Sequence, residues 1–435
     1  MRTSLPLSGM LLLGWAMTAH AEGLVEVYRL AEQNDANLRA AAQARLATRE
    51  AYPQARAQLL PNLVLNAGLT RDWLDYPNLS ARTGSFSSTN YTVSLSQPLF
   101  DRARLTAQDQ ANLIARQADL DFANSQQELL LRASEAYFAV LRAQAELRLA
   151  EAELAANESR LAQTEKRFEV GLIAITDLAD ARAARDQSLA RRIGAEANLA
   201  NAREALRVLT VQEVASLDDV RADLATAHPD PVDPAAWVKF AEEQNLALQS
   251  ARMGLDIARK EIEKQRSGHY PTVSLNASYG YQDTQFAGIP LENYDTRVGV
   301  QLNVPVYAGG GVESRSREAT YRFQQAQDSY EATRRDAVRA TRDAFRAVTS
   351  KISEIEAFEQ GVKSAETQLA ANEAGYEVGT RTIVDVITAQ TLLTQARRNL
   401  FNARYDYLLA TLRLKRAAGT LQLADLEALQ QQALR

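Results

Sequence analysis

Four short stretches of the chain alternate strictly between apolar and small polar residues. In the first half, Leu63, Leu65, Ala67 and Leu69 alternate with Asn62, Val64, Asn66, Gly68 and Thr70, and Tyr91, Val93 and Leu95 alternate with Thr92, Ser94 and Ser96. In the second half, Val273, Leu275, Ala277, Tyr279 and Tyr281 face away from Thr272, Ser274, Asn276 and Ser278. Val298, Val300, Leu302, Val304 and Val306 do the same against Arg297, Gly299, Gln301 and Asn303. A period of two predicts strands over residues 61–72, 89–100, 271–283 and 293–307. Strands of about ten residues suit a tilted crossing of a bilayer. The same alternation also suits a half-buried antiparallel sheet.

Around the strands the pattern turns helical. A helix precedes each strand pair, and two more follow it, over 101–170 and 174–210 in the first half and 312–377 and 381–417 in the second. Asp101 to Val170 contains neither glycine nor proline, and one continuous helix there would reach roughly 100 Å. In the last helix Val386, Leu393, Leu400, Tyr407 and Leu414 recur every seven residues, each followed three positions later by Ala389, Ala396, Ala403, Ala410 and Ala417. Leu147, Leu154, Leu161 and Phe168 recur likewise. Large and small residues at a heptad period predict closely spaced antiparallel coiled coils. Gly171 and Gly379 then mark the hairpin tips.

The two halves repeat one another. Ala31-Glu32-Gln33-Asn34 returns near Glu242-Glu243-Gln244-Asn245, Pro61 with Leu65-Asn66-Ala67 returns as Pro271 with Leu275-Asn276-Ala277, and Phe168-Glu169-Val170-Gly171 returns as Tyr376-Glu377-Val378-Gly379. Ordered recurrence at a nearly constant offset predicts a duplicated unit. The expected organisation is a signal peptide over 1–21, a first repeat over 22–210, a Pro-rich acidic linker over 211–235, a second repeat over 236–417 and a C-terminal segment over 418–435.

Composition narrows the setting. Met1-Arg2, the apolar Leu11-Leu12-Leu13 and Thr18-Ala19-His20-Ala21 before Glu22 have the form of a secretory leader with its cleavage site. Removing it takes away one arginine and no acid, moving the formal net charge from −5 to −6. So mild an acidity argues against nucleic acid as a partner. The chain has no cysteine, which suits an oxidising compartment and gives no disulfide framework. Outside the leader no run of about 18 apolar residues exists to form a transmembrane helix. A membrane form must therefore use strands, and Tyr91, Phe100, Tyr279, Tyr281, Tyr294 and Tyr307 near the strand ends suit membrane interfaces. Four strands cannot close a barrel in lipid, because an open edge leaves backbone groups unpaired. Two copies would give about eight strands and a filled interior; three give about twelve and room for an open lumen.

The hairpin-tip segments Gly171-Leu172-Ile173-Ala174-Ile175-Thr176-Asp177 and Tyr376-Glu377-Val378-Gly379-Thr380-Arg381-Thr382-Ile383-Val384-Asp385-Val386, with Asn402-Ala403-Arg404-Tyr405-Asp406-Tyr407-Leu408, resemble those of the TolC-type outer-membrane efflux channels. The resemblance runs from Glu22 to about Leu429. It implies an α+β membrane protein: a homotrimer with a 12-stranded β-barrel, four strands per chain, continued by a 12-helix coiled-coil tunnel. The linker and the C-terminal segment would form an equatorial band.

It further implies an exit duct in the outer membrane of a Gram-negative bacterium, extending into the periplasm. Such ducts serve drug efflux, type I protein secretion or both, with a periplasmic adaptor and an inner-membrane efflux pump or ABC transporter. They need no cofactor or metal and perform no chemistry. By the resemblance, Thr176, Asp177, Tyr376 and Arg381 close the periplasmic gate, and Val170, Gly171, Leu172, Val378, Gly379 and Thr380 meet the adaptor. Asp385 would form an acidic entrance ring that favours cations. A second acidic position one turn later is Thr388 here, which predicts weaker block by multivalent cations.

For an enzyme, only His228 and His269 remain outside the leader, and Gly309-Gly310-Gly311 lacks the lysine and spacing of a phosphate loop. It reads as the turn from a strand into a helix. A surface adhesin or a coiled-coil rod would share the heptads but not conduct ions.

Overall fold

A computed structural model of the chain describes residues 23–74, 84–214, 216–221, 223–286 and 289–434. The expected leader lies outside them. In order the elements are α1 (Leu24–Asn34), α2 (Ala36–Arg49), α3 (Ala51–Ala57), β1 (Asn62–Leu74), β2 (Gly84–Phe100), α4 (Arg102–Glu169) and α5 (Ile175–Thr210). After the linker come α6 (Pro234–Gln244), α7 (Leu246–Arg266), a 3-10 turn (Ser267–His269), β3 (Thr272–Phe286), β4 (Ile289–Asn303), α8 (Gly311–Glu377), α9 (Ile383–Ala418) and α10 (Leu423–Ala433).

The strands form one antiparallel sheet in the order β1-β2-β3-β4, with β1 and β4 at its open edges. Register aligns the apolar positions across all four: Leu63 opposes Leu95, Leu65 opposes Val93, Val93 opposes Tyr279, Ala277 opposes Val298 and Leu275 opposes Val300. This common face is exposed, with Leu69 at 81% and Val298 at 74%. The opposite face is polar and cross-linked, Ser88 bonding Thr284 at 3.2 Å and Ser96 donating to Asn276 at 3.1 Å. Among the described residues no helix is packed across the apolar face. One difference from the pattern concerns β4, which ends at Asn303 rather than 307. Pro305 lacks the N–H that would continue the ladder.

Each strand continues into one helix. α3 leads into β1, β2 into α4 through the cap Asp101, α7 into β3, and β4 into α8. α4, with 68 residues, spans roughly 100 Å. Antiparallel pairs α4/α5 and α8/α9 fill the far half, and α7 lies between α4 and α8 in the near half. The helix expected before each strand pair is broken, because Asp35 and Asn245 adopt extended backbone angles and cap the next helix, accepting from Leu38 N at 2.6 Å and Leu248 N at 3.0 Å. These two caps also correct the repeat alignment: Asp35, not Asn34, is the counterpart of Asn245.

The core lies at mid-height. Leu24, Val27, Tyr137, Phe138, Leu141, Leu412, Leu414, Leu421 and Leu426 are fully buried where α1, α10 and the ends of α5 and α9 meet the middle of α4. Burying each such side chain contributes about 1.5–3 kcal/mol. The linker is strapped across this core: Tyr137 Oη donates to the Asp218 carbonyl at 2.8 Å, Trp237 Nε1 to the Pro231 carbonyl at 2.8 Å, and Tyr407 Oη to the Ala227 carbonyl at 3.1 Å. A bridge between Val220 and Leu434 ties linker to C-terminus.

Candidate functional site at the hairpin tips

The two tips are built alike. α4 is capped at Val170, and Gly171 at φ +75° lets Leu172 N reach the Arg167 carbonyl at 2.9 Å. α8 is capped at Val378, and Gly379 at φ +77° lets Thr380 N reach the Gly375 carbonyl at 2.8 Å. Only glycine enters this left-handed conformation at low cost, so both glycines are explained by helix termination. Val170, Leu172, Ile175 and Val378 are exposed around them. Exposed apolar residues clustered at a hairpin end mark a contact surface.

Thr176 and Asp177 lie in the first turn of α5, where Asp177 N donates to the Ala174 carbonyl at 3.2 Å. Within the described chain Asp177 forms no ion pair. The Tyr376 ring carries the Arg167 guanidinium at 4.9 Å from its centroid. Arg381 folds back along Gly375, where its Cγ stands 2.6 Å from where a Cβ would be. Asp385 is the N3 residue of α9 in a capping box, accepting from Thr382 N at 2.9 Å and Thr382 Oγ1 at 2.8 Å. These bonds to the Thr382 backbone and hydroxyl, with the charge of Arg381, hold its carboxyl below the usual aspartate range. Thr388, one turn on, is exposed.

Sequence reasoning missed the ties between the two hairpins. Near the tips Arg160 of α4 pairs with Glu373 of α8 at 3.2 Å. The Arg160 side chain is largely buried, and burial lowers its pKa from the usual arginine value. Higher up, four pairs join α4 to the antiparallel α9: Glu128–Arg416 at 3.5 Å, Glu135–Arg413 at 2.7 Å, Arg142–Asp406 at 2.5 Å and Glu146–Arg398 at 2.8 Å. Residues 128, 135 and 142 keep a heptad spacing, and that charged stripe was the available signal.

Both hairpins bury large and small residues: α8/α9 Ile352, Ile355, Ile383, Val386 and Leu393 with Ala365 and Ala389, and α4/α5 Leu154, Leu178 and Leu199 with Ala150, Asn157, Thr164, Ala181, Ser188 and Ala195. Phe168, expected in the α4/α5 seam by its heptad, is 36% exposed. A straight helix drifts by about 20° per heptad, which carries the stripe off the seam over several turns. Glu153 is buried in the seam, paired with Arg191 at 2.6 Å through one oxygen only. The described residues contain no group of three or more metal-type ligands. This arrangement holds two stiff levers together through exposed and half-buried ion pairs, each contributing about 0–1 kcal/mol where solvated.

Comparison with known proteins agrees with this architecture. The family model described as outer membrane efflux protein matches twice, over residues 27–210 and 237–420. The outer membrane protein TolC of Vibrio cholerae is 39% identical over 98% of this chain and 97% of its own. The alkaline protease secretion protein AprF of Pseudomonas aeruginosa is 32% identical over 94% of this chain and 87% of its own. Among solved structures, the outer membrane protein VceC of Vibrio cholerae superposes with a TM-score of 0.79, covering 91% of this chain and 96% of its own at 22% identity.

Proposed function

The chain belongs to the outer membrane efflux protein family, and from this membership and the geometry above we propose how its parts work as an exit duct. The duct spans the outer membrane and serves efflux and type I secretion. One observation carries the mechanism: a sheet with two open edges and a largely exposed apolar face, whose strands run directly into helices. In lipid such edges must be paired. Three copies joined β4 to β1 supply twelve strands, and their helices continue the same ring as a tunnel. The apolar face meets lipid, and the serine and asparagine face lines the lumen.

The working end is the tips. Asp177, Thr176, Tyr376 and Arg381 form contacts that narrow the entrance, those of Asp177 and Arg381 being made between chains in the trimer. Arg160–Glu373 is the tie within a chain. Asp385 contributes a single ring of carboxylates, one per chain, while also capping α9. Val170, Gly171, Leu172, Val378, Gly379 and Thr380 form the surface for a periplasmic adaptor, which connects the duct to an inner-membrane pump or ABC transporter. The likeness to AprF favours protein among the cargoes.

Planar-bilayer recording tests this reading. Wild type is expected to give small cation-selective channels, and Asp177→Ala with Arg381→Ser and Arg160→Ala to give larger ones. Unchanged conductance in the combined variant would remove the latch, and Asp385→Ala with unchanged selectivity would remove the ring. Deleting the gene and scoring both drug sensitivity and secreted protein separates the cargoes.

A further inference from the structure

Where the sheet gives way to helices, the 3-10 turn Ser267–His269 lies hard against the start of α8. A Cβ on Gly268 would stand 3.0 Å from Val312 Cγ2. Beside this contact opens a cavity of about 700 Å³, lined by Arg266, His269, Tyr270, Glu313, Ser316 and Arg317. Arg266 and Arg317 are exposed and have no acidic partner among the described residues. Further along α8, Arg334 is paired with Glu242 and Glu331, and Arg346 with Asp343. Glu313, the one acid of the cavity, faces His269 at 3.7 Å. Ser316 Oγ is buried without a hydrogen-bond partner.

The cavity floor is the first two turns of α8, whose N-cap Gly310 leaves its amides with no side-chain cap. That end of a helix is positively polarised and favours an anion. Two unpaired guanidinium groups, an unused hydroxyl and a helix start together match the tetrahedral oxygens of a phosphate. The neighbouring surface is apolar and aromatic: Val304, Val306, Tyr307 and Tyr270 are exposed where the apolar face of the sheet ends. Basic pockets at such a level bind lipid headgroups.

We propose that this cavity binds a phosphate-bearing ligand, the headgroup phosphate of a phospholipid at the periplasmic edge of the barrel. Arg266 and Arg317 clamp the phosphate, Ser316 donates to it, and Val304 and Val306 lie against the acyl chains. The lipid source rests on the sheet being the membrane-spanning part; the phosphate chemistry does not.

The test is native mass spectrometry of the full-length protein in neutral detergent, titrated separately with phosphatidylglycerol and with inorganic phosphate. Arg266→Gln with Arg317→Gln is expected to weaken phosphatidylglycerol binding about thirtyfold. Arg317→Gln alone and Ser316→Ala should each weaken it less, and the exposed, distant Arg342→Gln should leave it unchanged. Binding of inorganic phosphate without lipid, lost in the same variants, would uphold the phosphate site and replace lipid by a soluble ligand. Equal binding by wild type and the double variant, or no binding of either probe, would overturn the proposal. Because the phosphate arm needs no bilayer, a protein that fails to conduct still gives a readable answer there.

Discussion

Val211 is the only non-glycine residue with positive φ among the described residues, at +61°. It ends α5 as Gly419 ends α9, the two occupying the same place in the repeat. A β-branched residue in the left-handed region costs about 1–2 kcal/mol, partly offset in a glycine variant by the greater entropy of its unfolded chain. The Val211 side chain is 65% exposed, so little packing is lost with it. Val211→Gly should therefore raise stability by about 0.5–1 kcal/mol, read as a higher denaturant midpoint at unchanged slope.

Asp385 carries a second prediction. Its carboxyl pKa is lowered in the folded chain by Thr382, so its capping contribution is present above the unfolded value of 3.8 and fades as pH falls through the depressed folded one. Asp385→Asn should lower the unfolding temperature at neutral pH. The gap to wild type should close once acid has protonated the native aspartate; a gap constant with pH would contradict this. The glycines of both tips were legible in the chain, since their left-handed turns demand that residue. The strain at Val211 was not, because valine gives no hint of a C-terminal cap.

At the scale of elements, the duplication shows how one helix junction was solved twice. In the first copy the cap Asp35 is buried and paired with Arg132 at 3.2 Å. In the second, Asn245 donates to the Ala417 carbonyl at 2.9 Å, and Thr341 does so at 3.3 Å. A charged pair and a neutral amide–hydroxyl arrangement thus serve one geometry. Removing one partner of a buried pair is costly, whereas replacing both is far less so. Arg132→Thr alone should destabilise the chain by about 2 kcal/mol, and adding Asp35→Asn should recover at least half of it. Thermal unfolding of the two singles and the double checks this; strict additivity would refute it. Alternation fixed the existence of all four strands and heptads fixed the hairpins. The helix breaks at Asp35 and Asn245 were hidden, because a capping side chain inside a helical pattern looks like any polar surface residue.

For the molecule as a whole, the deciding feature is the exposed apolar face. Val298 stands in its middle, opposite Ala277, with Gln301 on the other face. Val298→Arg should disfavour membrane insertion by about 2–4 kcal/mol, whereas Gln301→Arg, facing the lumen, should leave insertion intact and alter conductance. The fraction of folded protein recovered from vesicles measures the first, and single-channel recording the second. Equal insertion of both variants would count against the assigned faces.

By itself the sequence determined the strands, the long hairpins, their duplication and the glycine tips, since each rests on local periodicity or on one residue's backbone preference. The tertiary structure alone decided what meets what. It drew Arg160 to Glu373 and α4 to α9, put Arg167 against Tyr376, and gathered Arg266 and Arg317 around one cavity. Those partners lie tens to hundreds of residues apart. Pairing at such separations is set by the crossing and drift of packed helices, which no local pattern records.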